Sequence, residues 1–580
     1  MARGWSRLSA LCVLAMTPLA HASDLRLEPN IESVPLELRD PELPRGTEPA
    51  TREIGPIALR FSYDFVRPPS VIAEEALESP RFSIARYQIE GASKISIEAI
   101  DNALKEFTGP AQDFSAIQSA VAMVERLYSD AGFGATRVVI PEQDIDDGVV
   151  RLKLVEAKVG AVEVNGNKHY STENIRHSLP GLREGEVPDV NAIGRSLRLA
   201  NESLTKYSQI TFKQSPKPDT VDAVVRVVDA QTRRVAFSYD NTGTPQTGRW
   251  RLGVAYQDTN VWDRDHALGI QAVTSPERPD DVTIIAASYK VPFYAVGGAL
   301  EVVAGHSSVN SGVVNTPGAS FGIRGRGDFA GVHYIHLLPR WGQWDQRITA
   351  GLDFRYYKND VLLVGSDESS LIPNFQTLPV SLTYSGFIRN APTEWNASVG
   401  VARNIPVGRH GTTEAFQRPG GRAEADAHYT IVRYSAEMIK TLPKDWKFRA
   451  LWIGQRTGDA LISGEQFALG GIDYVRGFGE RAVSNDYGDR GTLELITPAL
   501  ALPLTSQARA VAFVDGGVVR RNHTLPGEVS KTSISSAGLG VRMSVANAAQ
   551  LRIDTAFVID GDAPYVRGSN KTHARLIYLF

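Results

Sequence analysis

Residues 250–257 read WRLGVAYQ. Successive side chains of an extended chain point to opposite faces. Trp250, Leu252, Val254 and Tyr256 therefore share one face, and Arg251, Gly253, Ala255 and Gln257 the other. Alternation of this kind marks a strand with one apolar face. It recurs at Ile348, Ala350, Leu352, Phe354 and Tyr356, and again at Leu551, Ile553, Thr555, Phe557 and Ile559. The separators are turn-rich: DNTGTPQTG at 240–248, SPERPD at 275–280 and TPGAS at 316–320. Small and polar residues opposite the apolar face suit a wide barrel interior, and aromatics near the strand ends suit interfacial girdles. At about 20 to 25 residues per strand and turn, residues 231–580 hold about 14 to 18 strands. The last of them, KTHARLIYLF at 571–580, puts Ala574, Leu576, Tyr578 and Phe580 on one face. An alternating strand that ends on an aromatic resembles the signal read by the barrel assembly machinery of the bacterial outer membrane.

The rest of the chain fits an exported barrel. Residues 1–22 have an arginine-containing start, an apolar core and a small-x-small end at Ala20 and Ala22, the pattern of a signal peptide. The single cysteine, Cys12, lies inside that segment, so neither disulfides nor thiol chemistry is expected in the processed chain. Further on, the most apolar stretch, 499–519, is interrupted by Pro503, Gln507, Arg509 and Asp515 and cannot make a membrane helix. A net charge of −3, from 62 basic and 65 acidic residues, gives no reason to expect a nucleic acid partner.

Residues 23–80 are punctuated by proline and read as a linker. An internal repeat follows. Tyr87-Gln-Ile-Glu-Gly91 is echoed by Val162-Glu-Val-Asn-Gly166, each a strand that ends in a glycine turn. In the first copy Ile97, Ile100, Leu104 and Phe107 have helical spacing, a second helix is expected over 114–130, and two strands close the unit. In the second copy the helix is expected over 196–207, followed by a hairpin of 209–214 with 222–230. The reading is two small α+β domains in tandem, 81–157 and 158–230.

Motifs for catalysis are weak. Gly318-Ala319-Ser320-Phe321-Gly322 fits G-x-S-x-G, but it lies between barrel strands without the helix a nucleophile elbow needs. His333 and His336 would face opposite sides of a strand, so no shared metal is expected. There is no P-loop, so neither a nucleotide nor any cofactor is expected. Two charged residues in apolar settings are more informative. Arg476 sits in DYVRGFGE (473–480), a weak strand former that reads as a loop. Asp515 sits in VAFVDGGVV (511–519), where alternation groups it with Phe513, away from Val514 and Val518. If those valines meet lipid, Asp515 faces the lumen. The two charges either pair there or are solvated separately.

Together these features resemble the two-partner secretion transporters (TpsB; the FhaC, ShlB and HecB class) of the outer-membrane protein 85 superfamily. Val475, Arg476, Gly477 and Phe478 match that family's VRG-aromatic loop motif, and Phe513, Asp515 and Gly517 its F-x-D-x-G strand motif. The resemblance implies a membrane β-barrel of about 16 antiparallel strands with two N-terminal α+β POTRA domains. It also implies a loop near 465–490 folded into the lumen, where Arg476 pairs with Asp515, and an N-terminal plug helix, which the prolines of 23–80 limit to a short one. The implied function is export of a large unfolded partner protein without ATP, recognised in the periplasm by the POTRA domains, with outer-membrane lipid around the barrel. A haemolysin, adhesin or toxin is the implied kind of cargo. The alternatives are an outer-membrane protein insertase of the BamA or TamA type, a passive porin, and a barrel enzyme depending on Ser320.

Overall fold

The computed structural model describes residues 81–580 apart from 146, 317–318, 364–369, 390, 504–505, 546–547 and 563. The signal segment with Ala20 and Ala22, the linker with its short plug, and Gly318 lie outside the described residues.

The first unit contains β1 (Phe82–Ile84), β2 (Arg86–Glu90), α1 (Ile97–Leu104), β3 (Gly109–Gln112), α2 (Phe114–Asp130), β4 (Thr136–Val139) and β5 (Val149–Glu156). The second contains β6 (Lys158–Asn165), α3 (Thr172–His177), α4 (Val190–Ala200), β7 (Lys206–Gln214) and β8 (Thr220–Asp229). Their sheets have one topology, β2-β5-β4 and β6-β8-β7, with the outer pairs parallel and antiparallel in the same order. β1 and β3 form an additional small sheet in the first unit.

Two local readings need correction. The helix expected over 196–207 starts and ends earlier, because Asp189 caps it by accepting from Ala192 N and β7 begins at Lys206. Ile97 is exposed rather than packed, since α1 has only two turns and turns Ile100 and Leu104 inward.

The glycine and carboxylate of each repeat have a physical role. Gly91 and Gly166 have φ of +84° and +92°, and a Cβ there would stand 2.4 and 2.3 Å from the carbonyl oxygens of Leu154 and Val227. Only glycine accepts both constraints. Two residues beyond each carbonyl a carboxylate ties down the turn. Glu156 accepts from Ser93 N at 2.7 Å, Lys94 N at 3.1 Å and Tyr128 OH at 2.9 Å. Asp229 accepts from Lys168 N, His169 N and Tyr170 N. Burial alone would raise the Glu156 pKa, but the bonds from Ser93, Tyr128 and Lys94 outweigh it and hold the carboxyl below its ordinary value. A depressed carboxylate stabilises above its unfolded pKa and loses that contribution as pH falls through the folded one. Glu156→Gln is accordingly expected to cost the first unit about 1–2 kcal/mol in urea unfolding at pH 7. The difference from wild type should fade below about pH 4.

The remaining strands close a barrel. They are β9 (Arg233–Asp240), β10 (Arg251–Val261), β11 (His266–Thr274), β12 (Val282–Phe293), β13 (Gly298–Thr316), β14 (Ala319–Leu337), β15 (Asp345–Leu363), β16 (Phe375–Thr377), β17 (Pro379–Ile388), β18 (Thr393–Asn404), β19 (Thr430–Thr441) and β20 (Lys447–Arg456), then, past a loop hairpin of β21 (Phe467–Leu469) and β22 (Val483–Asn485), β23 (Tyr487–Ile496), β24 (Leu500–Leu502), β25 (Ser506–Arg520), β26 (Lys531–Val545), β27 (Ala549–Asp560) and β28 (Asn570–Leu579). β16 and β24 are short extensions, so the wall has 16 antiparallel strands. β28 pairs with β9 to close it, and Phe580 exchanges main-chain hydrogen bonds with Val235.

Alternation sets the two faces. Leu252, Val254, Leu352, Phe557, Ile559, Leu576, Tyr578 and Phe580 are exposed on the outside, while Asp554, Ala556 and Val558 are buried inside. Among the described residues no helix is long and apolar enough to cross a membrane. Ser320 lies on β14, paired with Asn315 of β13, and has no following helix. Short turns close the barrel at the end where β9 begins, and the longer connections, including 405–429 and 457–486, lie at the other end.

The second unit is seated on three of the short turns. Lys206 Nζ lies 2.8 and 2.6 Å from the two carboxylate oxygens of Asp265, in the turn between β10 and β11. Ser196 Oγ donates to Tyr294 O at 3.1 Å, and Arg198 Nη2 to Leu338 O at 3.3 Å, in the next two turns. Leu199 and Ala200 pack against Tyr294, Ala299 and Leu337. A buried, paired lysine and an apolar contact fix the unit's orientation at the barrel mouth.

Candidate functional site: an arginine of the in-folded loop

Loop 457–486 turns back into the barrel instead of extending outward. Its hairpin, β21 with β22, presents residues 470–482 to the wall. Val475, Arg476 and Phe478 at the tip are 0, 2 and 1 % exposed. An apolar patch holds this tip: Leu469, Val475 and Phe478 from the loop pack with Val519, Ile534 and Val558 from β25, β26 and β27.

Arg476 meets Asp515 through three donors. Its Nε lies 2.7 Å from Asp515 Oδ2, its Nη2 2.8 Å from Oδ1, and its own backbone N–H 3.1 Å from Oδ2. The fork-to-fork part of this contact suits a planar guanidinium and no other cation. The third nitrogen, Nη1, donates to Glu494 Oε1 at 2.7 Å and lies 3.6 Å from Asp554 Oδ2. The face of the guanidinium stacks on Phe513, 3.5 Å from the ring centroid. Asp515 is 0 % exposed.

Every matched position of the two motifs has a contact. Gly477 has φ of +92°, and its N–H donates to His573 Nε2 at 3.1 Å. Phe478 packs against Tyr565 with the rings tilted by 59° and their centroids 5.5 Å apart. On the wall, Phe513 supports the guanidinium, Asp515 clamps it, and Gly517 makes room for the loop: a Cβ there would stand 2.6 Å from Leu469 Cδ2. Val514 is exposed on the outside, as the alternation requires.

The wall around the arginine carries further charges that the motifs do not include. Glu494 also accepts from Arg449 Nη1 at 3.0 Å. Asp554 accepts from Arg542 at 2.7 Å and Arg552 at 2.7 Å. Arg552 and Arg575 reach Asp473 on the loop at 2.8 and 3.0 Å. The result is a lattice of alternating sign rather than a single pair. Its members are legible in the strands as charges alternating with apolar residues, as in Leu493-Glu494-Leu495 and Ile553-Asp554.

Both ends of the loop are also fixed. Asp486 is fully buried and accepts from Leu461 N, Arg422 Nη2 and Asn522 N at 2.9, 3.3 and 2.8 Å, joining the loop to its two neighbours. Among the described residues no group of three or more histidine, cysteine, aspartate or glutamate side chains could hold a metal.

A closed barrel with α+β units at its mouth and an in-folded loop clamped to its wall defines an outer-membrane transporter of the POTRA-bearing class. Residues 221–543 match the haemolysin secretion/activation protein ShlB/FhaC/HecB family, and residues 82–157 match its ShlB-type POTRA domain. The chain belongs to this family of two-partner secretion transporters. It is 22 % identical over 492 residues to outer membrane transporter CdiB of Escherichia coli, covering 79 % of this chain and 76 % of the relative. It is 20 % identical over 505 residues to heme/hemopexin transporter protein HuxB of Haemophilus influenzae, covering 83 and 84 %. The solved structure of CdiB from Escherichia coli superposes with a TM-score of 0.71 at 17 % identity, covering 88 % of this chain and 93 % of that one. The barrel therefore sits in the bacterial outer membrane, with its POTRA domains in the periplasm.

Proposed function

We propose that this chain captures an unfolded partner protein in the periplasm through its POTRA domains and passes it through the barrel to the cell surface or medium without ATP. One observation carries the reading: a sheet with an open edge is seated on the turns at the periplasmic mouth of the barrel. β7 pairs with a neighbour on one side only, so an extended segment can add to it by main-chain hydrogen bonds, whereas the outer N–H groups of β4, on Thr136 and Val138, are taken by Phe133 O and Glu125. Such pairing tolerates varied sequence, and pockets beside the edge supply selectivity. Folding of the emerging chain outside the cell would bias its movement outward. The chain then works as a transporter and not by catalysis. Its alternating last strand, ending on Phe580, would be read by the barrel assembly machinery during biogenesis.

In this reading Arg476, with Val475, Gly477 and Phe478, is a latch that sets the position of the in-folded loop in the lumen by docking on Phe513, Asp515 and Gly517, and export needs the loop in that position. Deleting residues 82–229 tests the capture step. The shortened protein is expected to reach the outer membrane as a heat-modifiable barrel while export of the partner falls to background. Unchanged export by such a barrel would overturn docking on the POTRA domains.

A further inference from the structure

The loop that carries Arg476 holds a second buried charge of opposite sign. Glu465 is 2 % exposed. Its carboxylate lies 2.9 and 3.0 Å from Arg355 Nη1 and 3.4 Å from Arg433 Nη2, and it accepts from Tyr357 OH at 3.2 Å and Thr377 Oγ1 at 3.4 Å. We infer that Glu465 is a second anchor of the in-folded loop, so that the loop is a strap tied to two parts of the wall rather than a lid held at one point. This rests on the reading of the lumen as the export path.

Two features of the geometry carry the inference. First, the anchors hold different walls. Glu465 is held from β15, β16 and β19, whereas Arg476 and Gly477 are held from β23, β25, β27 and β28. The two sets of strands do not overlap in the closed order of the barrel, so the loop between them spans the lumen. Second, each of the two wall arginines has a further partner besides Glu465. Arg355 already has Asp353 at 3.2 Å on its own strand, and Arg433 is nearly half exposed and bonds Gln455 at 3.0 Å. The base of the strap is braced as well: Gln455 Nε2 donates to the carbonyl oxygens of both Glu465, at 3.0 Å, and Asp486, at 2.9 Å. Freeing one anchor therefore leaves the loop tied by the other, and opening the lumen requires both to release. Glu465 acts through the loop's position and is a positioning residue.

Planar-bilayer conductance of the full-length protein tests this. Glu465→Gln, Asp515→Asn and their combination would be compared with wild type, each first shown to be a heat-modifiable barrel. Each single variant is expected to raise the mean current about threefold and the double about tenfold, the product of the singles, because the lumen opens only when both anchors have released and their free energies add. If Glu465→Gln does not fold, Arg433→Gln removes a cation from the same anchor and is read the same way. A single variant at this anchor with wild-type currents, together with a double no more open than Asp515→Asn, would overturn the inference. The currents need no partner protein, so they separate the strap from the export reading. A double variant opened in this way with unaltered export would instead count against the lumen as the export path.

Discussion

Replacing Arg476 by alanine is expected to reduce export below about a tenth of the wild-type level while the barrel still inserts, because breaking a buried ion pair from one side costs about 3–5 kcal/mol. The wall explains why insertion survives: its 16-stranded ladder closes through β28 and β9 without using the loop. The cost falls on the latched arrangement, and unevenly. Glu494 keeps Arg449, and Asp554 keeps Arg542 and Arg552. Asp515 is fully buried, and all three of its described hydrogen bonds come from Arg476, so its charge would be left uncompensated. Arg476→Lys should recover little, because an ammonium cannot donate along both edges of the carboxylate while reaching Glu494. Secretion assays alongside heat-modifiable mobility decide the matter: undiminished export by Arg476→Ala would remove the latch from the mechanism.

The lattice also changes the expectation for exchanging the two charges. Read as an isolated pair, Arg476→Asp with Asp515→Arg should restore some export. The contacts oppose this. An aspartate at 476 would face Glu494 and Asp554, which lie 2.7 and 3.6 Å from the present guanidinium. A third carboxylate facing these two in a buried site with no cation at 476 is unfavourable, so the exchange is expected to do no better than the single variants.

How far the sequence could be read follows from the range of the forces involved. Period-two alternation is local and deterministic, so the faces of β10, β15, β27 and β28, and the inward direction of Asp515, are visible in the residues. The repeat glycines are visible too, because Gly91 and Gly166 end matching strands. Helix limits in the second unit were less legible, since Asp189 capping and the start of β7 compete over a few polar residues. Pairing of Arg476 with Asp515 depends on how a loop folds across a barrel, and no local pattern specifies that. The family motif implied it. The other partners, Glu494, Asp554, Arg449 and Arg542, lie on separate strands and meet only after closure, although each stands out as a charge alternating with apolar neighbours. Glu465 gave no such signal, because it lies in a loop where a glutamate is unremarkable until two wall arginines converge on it.

Gly517→Ala is expected to weaken the latch by a different route, steric rather than electrostatic, and this makes it the sharper test of the strand motif. The added methyl would stand 2.6 Å from Leu469 Cδ2 and 2.9 Å from the carbonyl oxygen of Asp489. Both distances are inside van der Waals contact, and overpacking of this kind costs about 1–3 kcal/mol. The charges of Arg476 and Asp515 remain, so export should fall less than in Arg476→Ala, to about a fifth of wild type for a shift near 1 kcal/mol. The hairpin formed by β21 and β22 is displaced from β25 because Leu469 belongs to it. Shortening the side chain on the loop should therefore compensate: Gly517→Ala with Leu469→Ala is expected to export better than Gly517→Ala alone. Recovery should stay incomplete, since the clash with the Asp489 carbonyl lies within the wall and Leu469→Ala leaves it in place. A double variant no better than Gly517→Ala would show that the glycine is needed by the wall itself, through Asp489, and not by the loop that docks on it.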